Sequence, residues 1–156
     1  SLDKTRGVPV VVNTAARNST GVARYGQTLK STLGELGRTM VTLWVINRQR
    51  DSLELLADYL DAMPAGADHQ VHVVRNGYFG SAEKFQLYNG SQLKQRIEEG
   101  GGLTLDFPDL ADRVADQMAT QRLTIQGALK EMPLGHRAEL IRWRDEAFKV
   151  LGQVMT

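Results

Sequence analysis

The chain contains no cysteine, which removes disulfide frameworks and thiolate metal sites from consideration and excludes a zinc finger. That absence is compatible with a reducing cytosol. It also lacks a Walker A stretch and a Gly-x-Gly-x-x-Gly fingerprint, so no phosphate-binding loop of either kind lies within it. No Gly-x-Ser-x-Gly elbow occurs, and no serine, histidine and carboxylate set stands out by spacing, so hydrolase chemistry has no specific support. The apolar runs are strand-sized, well below the roughly eighteen residues that a membrane helix needs, and no basic-then-apolar signal opens the sequence. A protein without a membrane span, unsecreted and cytoplasmic, is expected. Net charge is only +1, with acidic and basic residues mixed, which leaves no global electrostatic case for nucleic acid.

What is present suits one folded unit. At 156 residues, 42% apolar and 24% charged, the chain is long enough for one core and too short for two. Four short runs read as strands: Val8 to Val12, Val41 to Ile46, Val71 to Val74 and Leu103 to Phe107. The first two are nearly continuous in apolar residues, as expected of parallel strands covered on both faces. Helix-period segments lie between them. The first carries Val22, Tyr25, Leu29, Leu33 and Leu36 and stops at Gly37; the second carries Leu53, Leu56, Leu60 and Met63, with Asp58 and Asp61 on a solvated face. The third splits at the turn dipeptide Asn89-Gly90 and ends at the triple glycine Gly100 to Gly102, a turn. After the fourth run only helices follow: Leu110 to about Thr120, Thr124 to about Lys130, and one from Gly135 onward. The expectation for residues 1–156 is a single three-layer α/β domain with a mainly parallel sheet of about four strands, crossover helices and a helical C-terminal layer.

Ligands of open parallel sheets bind beyond the carboxyl ends of the strands. Asn13, Asn47 with Arg48, Asn76 with Gly77, and Pro108 with Asp109 fall at that edge. They would line one rim with amide donors and acceptors, a guanidinium and open backbone groups. Asparagine also favours strand ends for a local reason, because it bonds its own backbone. His69 and His72 lie three apart on a strand and point to opposite faces, so they share no metal. In the last helix Leu140, Ile141, Trp143, Ala147, Phe148, Leu151 and Met155 read as one broad apolar stripe, assigned to core packing. Arg137, Arg142, Arg144 and Lys149 are a weak nucleic-acid patch, since interleaved acids favour a solvated face.

Taken together, VPVVVNTAAR, LWVINRQRDSLELLADYL, HVVRNGYFG and LDFPDLADRV resemble the downstream part of the ParA/MinD family of deviant Walker ATPases, its small conjugal-transfer and plasmid-maintenance members most of all. The resemblance implies a phosphate-binding loop upstream, so that residues 1–156 form the C-terminal part of a longer P-loop-type protein. It implies ATP or ADP as the ligand of that longer protein and no cofactor for this chain alone. Asn76 looks like the family's adenine-bonding asparagine, and Pro108 with Asp109 resembles the loop packed on the base; Asn13 and Asn47 complete the rim. Where the family has Asp-Thr-Pro this sequence has Asn13-Thr14-Ala15, and a neutral amide cannot hold hydrated Mg²⁺ as a carboxylate does. A nucleotide-dependent homo-oligomer serving plasmid transfer or partition machinery is implied. An apolar strand edge left open by the missing loop strand would be covered by a second copy or by a displaced first strand. The competing expectation is a complete, non-catalytic α/β module that binds a protein partner.

Overall fold

The computed structural model describes residues 7–14 and 19–155. The elements run α1 (Ser19–Glu35), β1 (Met40–Ile46), α2 (Arg50–Ala62), β2 (His69–Asn76), α3 (Gln86–Asn89), α4 (Gln92–Glu99), β3 (Thr104–Phe107), α5 (Asp112–Gln121), α6 (Ile125–Glu131) and α7 (Leu134–Gly152), with short 3-10 turns at Gly77–Phe79 and Ala82–Lys84. The fold is α/β, with a parallel sheet of three strands in the order β1-β2-β3 among the described residues.

The strand register separates two faces. Met40, Thr42, Trp44 and Ile46 of β1 stand beside His69, Val71, Val73 and Arg75 of β2. This face packs on Leu56, Tyr59 and Leu60 of α2, on Phe85 and Tyr88, and on Ile97 of α4. Three of its polar side chains are joined to one another. Thr42 Oγ1 lies 2.7 Å from the Tyr59 hydroxyl and 3.0 Å from His69 Nε2, and Tyr59 and His69 are 3.2 Å apart, so the three close a triangle inside the core. Burial lowers the His69 pKa and raises that of Tyr59.

The opposite face is covered only in part. Val74 and Leu105 pack with Leu43, Phe107 and the α7 residues Val150 and Val154, while Val41 and Val45 of β1 stay exposed. Cover on this face is therefore limited to the β2–β3 side, and the expected three-layer arrangement with about four strands is not established. His72 is buried on this face, and its Nδ1 accepts the Leu103 backbone N–H at 2.9 Å. Beyond the sheet, Val114 of α5, Ala128 of α6, Met132 and Leu140 of α7 form a separate helical core.

Three sequence expectations need correction. Val8 to Val12 is not a strand: no residue of it pairs, and Val11 and Val12 are 82% and 74% exposed. β-branched composition supplies propensity, but a strand exists only with a neighbour to complete its hydrogen bonds. The first helix does not bury its expected stripe either. Tyr25 and Leu29 are exposed, Leu33 is buried, and α1 packs beside α2 instead of across the sheet; Val22 lies outside the residues whose side chains are described. Finally, the apolar stripe of α7 divides: Leu140 and Ala147 are buried, whereas Ile141, Phe148 and Met155 are exposed.

Candidate functional site

All three strands are parallel, so their carboxyl ends lie on one edge of the sheet. Asn47 follows β1, Asn76 ends β2, and Pro108 with Asp109 follows β3. The structure brings these four expected residues to that edge. Asn13 is not brought there by a strand, since the segment before it is unpaired and exposed.

Each strand-end asparagine shapes its own turn. Asn47 Oδ1 accepts the Gln49 N–H at 2.8 Å just before α2, and Asn76 Oδ1 accepts the Tyr78 N–H at 3.1 Å to open the 3-10 turn. This is the local use of asparagine that the sequence allows. It occupies the amide oxygens and leaves both Nδ2 groups without an intramolecular acceptor among the described residues. Gly77 permits the next contact. A Cβ there would collide with the Phe107 carbonyl and press on the backbone of Pro108 and Asp109, so only glycine lets the loop after β2 rest on the loop after β3.

The β3–α5 loop is held from behind by α7. Trp143 Nε1 donates to the Pro108 carbonyl at 2.9 Å, its ring meets Phe107 edge-on at 5.9 Å, and Arg142 Nη2 donates to the Asp109 carbonyl at 3.1 Å. Glu139 accepts two bonds from Arg142, each 2.7 Å, and a longer one from the Ala111 N–H. The Arg142 guanidinium holds the Glu139 carboxyl down to a pKa of about 2, with help from that backbone N–H, against the opposing effect of burial.

Between the end of β1 and the segment after β2 lies a cleft of about 360 Å³ lined by Asn47, Arg48, Gln49, Phe79, Lys84, Gln86 and Leu87. No carboxylate lines it, and neither Arg48 nor Lys84 forms an ion pair among the described residues. Exposed Tyr78 and Phe79 stand edge to face at 5.2 Å beside it. Sequence reasoning missed Tyr78, Phe79 and Lys84. The signal available was Asn-Gly-Tyr-Phe-Gly, two consecutive aromatics in a turn where no core can take both. What the arrangement offers chemically is recognition: amide donors, two cations and aromatic faces. Among the described residues no group of three histidine or carboxylate side chains could hold a metal.

The chain is similar to Protein MobD of Acidithiobacillus ferrooxidans. The two are 62% identical over 146 residues, which is 94% of this chain and 63% of Protein MobD. The chain thus spans just under two thirds of that relative's length. No family model matches the chain, and no solved structure matches it.

These findings correct the ParA/MinD resemblance. The shared sequence lies with Protein MobD, no family model supports the deviant Walker assignment, and the described sheet has three strands with no phosphate-binding loop in the sequence. The short runs that suggested the family are generic for parallel α/β sheets: an apolar strand stopped by a turn-forming asparagine. ATP or ADP, and the adenine role given to Asn76, were implied by that resemblance and no longer have its support. No described helix is long and apolar enough to cross a membrane.

Proposed function

We propose that this chain serves plasmid mobilisation as a binding component of the transfer machinery, and that it engages a protein partner through the strand-end rim. The observation that carries the first half is the 62% identity to Protein MobD across 94% of the chain. The second half is supported by the geometry. Asn47, Arg48, Asn76, Tyr78, Phe79, Pro108 and Asp109 come from three separate strand ends, so their relative positions are fixed by the sheet. Exposed aromatic and arginine side chains are the residue types that dominate protein interfaces.

The test is genetic and biochemical together. In a mobilisable plasmid that carries this gene, deletion is expected to lower transfer frequency, and the triple variant Arg48→Ala, Tyr78→Ala, Phe79→Ala is expected to approach the deletion while retaining the helical circular dichroism of the wild type. Transfer unaffected by deletion would remove the mobilisation reading. A deletion defect fully rescued by the triple variant would remove the rim from it.

A further inference from the structure

Helix α7 carries apolar side chains on two sides. Leu140 and Trp143 turn toward the helical core, Ala147 is buried, and Val150 and Val154 turn toward the sheet. On the other side Leu134, Ile141, Phe148 and Met155 are 75%, 41%, 65% and 55% exposed. These four recur at every seventh position, so they form one line that drifts by only about 20° per repeat. Met155 belongs to the line because its N–H still bonds to the Leu151 carbonyl at 3.0 Å, which continues the last turn. A helix already anchored by one apolar face gains nothing in its own fold from a second one left in water.

We propose that this stripe pairs with the same stripe of a second copy of the chain, the two α7 helices lying side by side and running in the same direction about a two-fold axis parallel to them. A parallel helix seam uses two apolar positions in every seven, and this line supplies one of them throughout, with the charged Arg144 and Asp145 beside it at mid-length. The flanking charges choose the partner and the direction. Arg144 and Asp145 lie on opposite sides of the stripe at its midpoint. Asp145 is exposed and Arg144 half-buried, and the one ion pair that either makes among the described residues is with the other, at 3.2 Å. In a parallel pair the two-fold axis carries the Asp145 flank of one copy to the Arg144 flank of the other, giving two inter-copy ion pairs. An antiparallel pair would set Arg144 against Arg144 and Asp145 against Asp145. Like charges in register across a seam oppose association. Ile141 and Phe148 of each copy then meet their own counterparts, an isologous contact that closes at two chains.

Sedimentation equilibrium on the full chain tests this. A reversible monomer–dimer equilibrium is expected. Phe148→Glu, Arg144→Asp and Asp145→Arg should each raise the dissociation constant about tenfold or more, about 1.4 kcal/mol, and the double reversal Arg144→Asp, Asp145→Arg should return it toward the wild-type value. Because the chain has no cysteine of its own, oxidised Ile141→Cys should yield a covalent dimer, as only the parallel arrangement brings position 141 to itself. Circular dichroism identical to wild type verifies that each variant is folded. A monomer at every concentration up to the solubility limit overturns the proposal. So does a dimer indifferent to Phe148→Glu, a double reversal that fails to restore pairing, or an Ile141→Cys chain that does not cross-link.

Discussion

The Arg75 guanidinium grips both carboxylate oxygens of Asp106, its directly paired neighbour across β2 and β3, at 2.6 and 2.8 Å. Its remaining arm reaches Asn89 Oδ1 at 2.7 Å, and Asn89 Nδ2 in turn donates to the Ala82 carbonyl at 2.8 Å. One cation thereby ties the sheet to the whole segment that follows β2. Arg75 is mostly covered while Asp106 stays open to water. Arg75→Ala is expected to cost about 1.5 to 3 kcal/mol, the range for bonds to charged groups, and Asp106→Ala at least as much, because it leaves the covered guanidinium without its counter-charge. Arg75→Lys should not restore the loss, since an ammonium cannot serve three directions in a plane. Urea unfolding of the three variants measures this.

Trp143→Phe keeps the ring contact with Phe107 but removes the donor to the Pro108 carbonyl. The expected destabilisation is about 1 kcal/mol, the net value of one such bond. The β3–α5 loop should loosen before the rest, visible as faster amide exchange at Asp109 and Ala111 with little change in β2.

Adjacent residues of α7 should respond oppositely to truncation. Leu140 is fully buried in the helical core, so Leu140→Ala should cost about 2 to 5 kcal/mol through lost burial and the cavity left behind. Ile141 faces out, and Ile141→Ala should stay within about 0.5 kcal/mol at protein concentrations where the chain is monomeric. Equal effects would mean that the two sides of α7 are assigned wrongly.

Stability should fall in acid in two stages. Burial lowers the pKa of His69 and His72 below the ordinary 6.5, and His72 has its Nδ1 already engaged by Leu103. The unfolded chain then binds these protons more readily than the folded one, so stability is fully present above 6.5 and declines as pH drops below it. Glu139, held at about 2 against an ordinary 4.5, adds stability that is present above 4.5 and lost between 4.5 and about 2. Chemical unfolding followed across pH should show both slopes, and Glu139→Gln should flatten the lower one.

Much of the sheet was legible because strands announce themselves locally. Val41 to Ile46, Val71 to Val74 and Leu103 to Phe107 fall inside the observed β1, β2 and β3 or within a residue of them, and the strand ends carried Asn47, Asn76 and Pro108 with them. Val8 to Val12 has the same composition and failed, since pairing is a property of the neighbour and not of the segment. The division of α7 was illegible for a related reason. Leu140 and Ile141 are both apolar and adjacent, and only the position of α5 and α6 decides which one is enclosed. The Arg75–Asp106–Asn89 network left no local trace beyond a lone cation after the run Val71 to Val74, because its partners lie 14 and 31 residues away.

The rotational setting of α7 reaches further than its own packing. Arg142 and Trp143 pin the helix to the carbonyls of Asp109 and Pro108, so it cannot roll without tearing the β3 loop away from the strand ends. Ile141 and Arg144, the residues on either side of that pair, therefore point outward on a bearing fixed with respect to the rim. Two chains joined along this helix would hold their rims at one height, on opposite flanks of the assembly and at a set distance. A partner presenting two sites at that spacing would be gripped by both rims at once, and the second grip would act at the high effective concentration that a rigid connection provides.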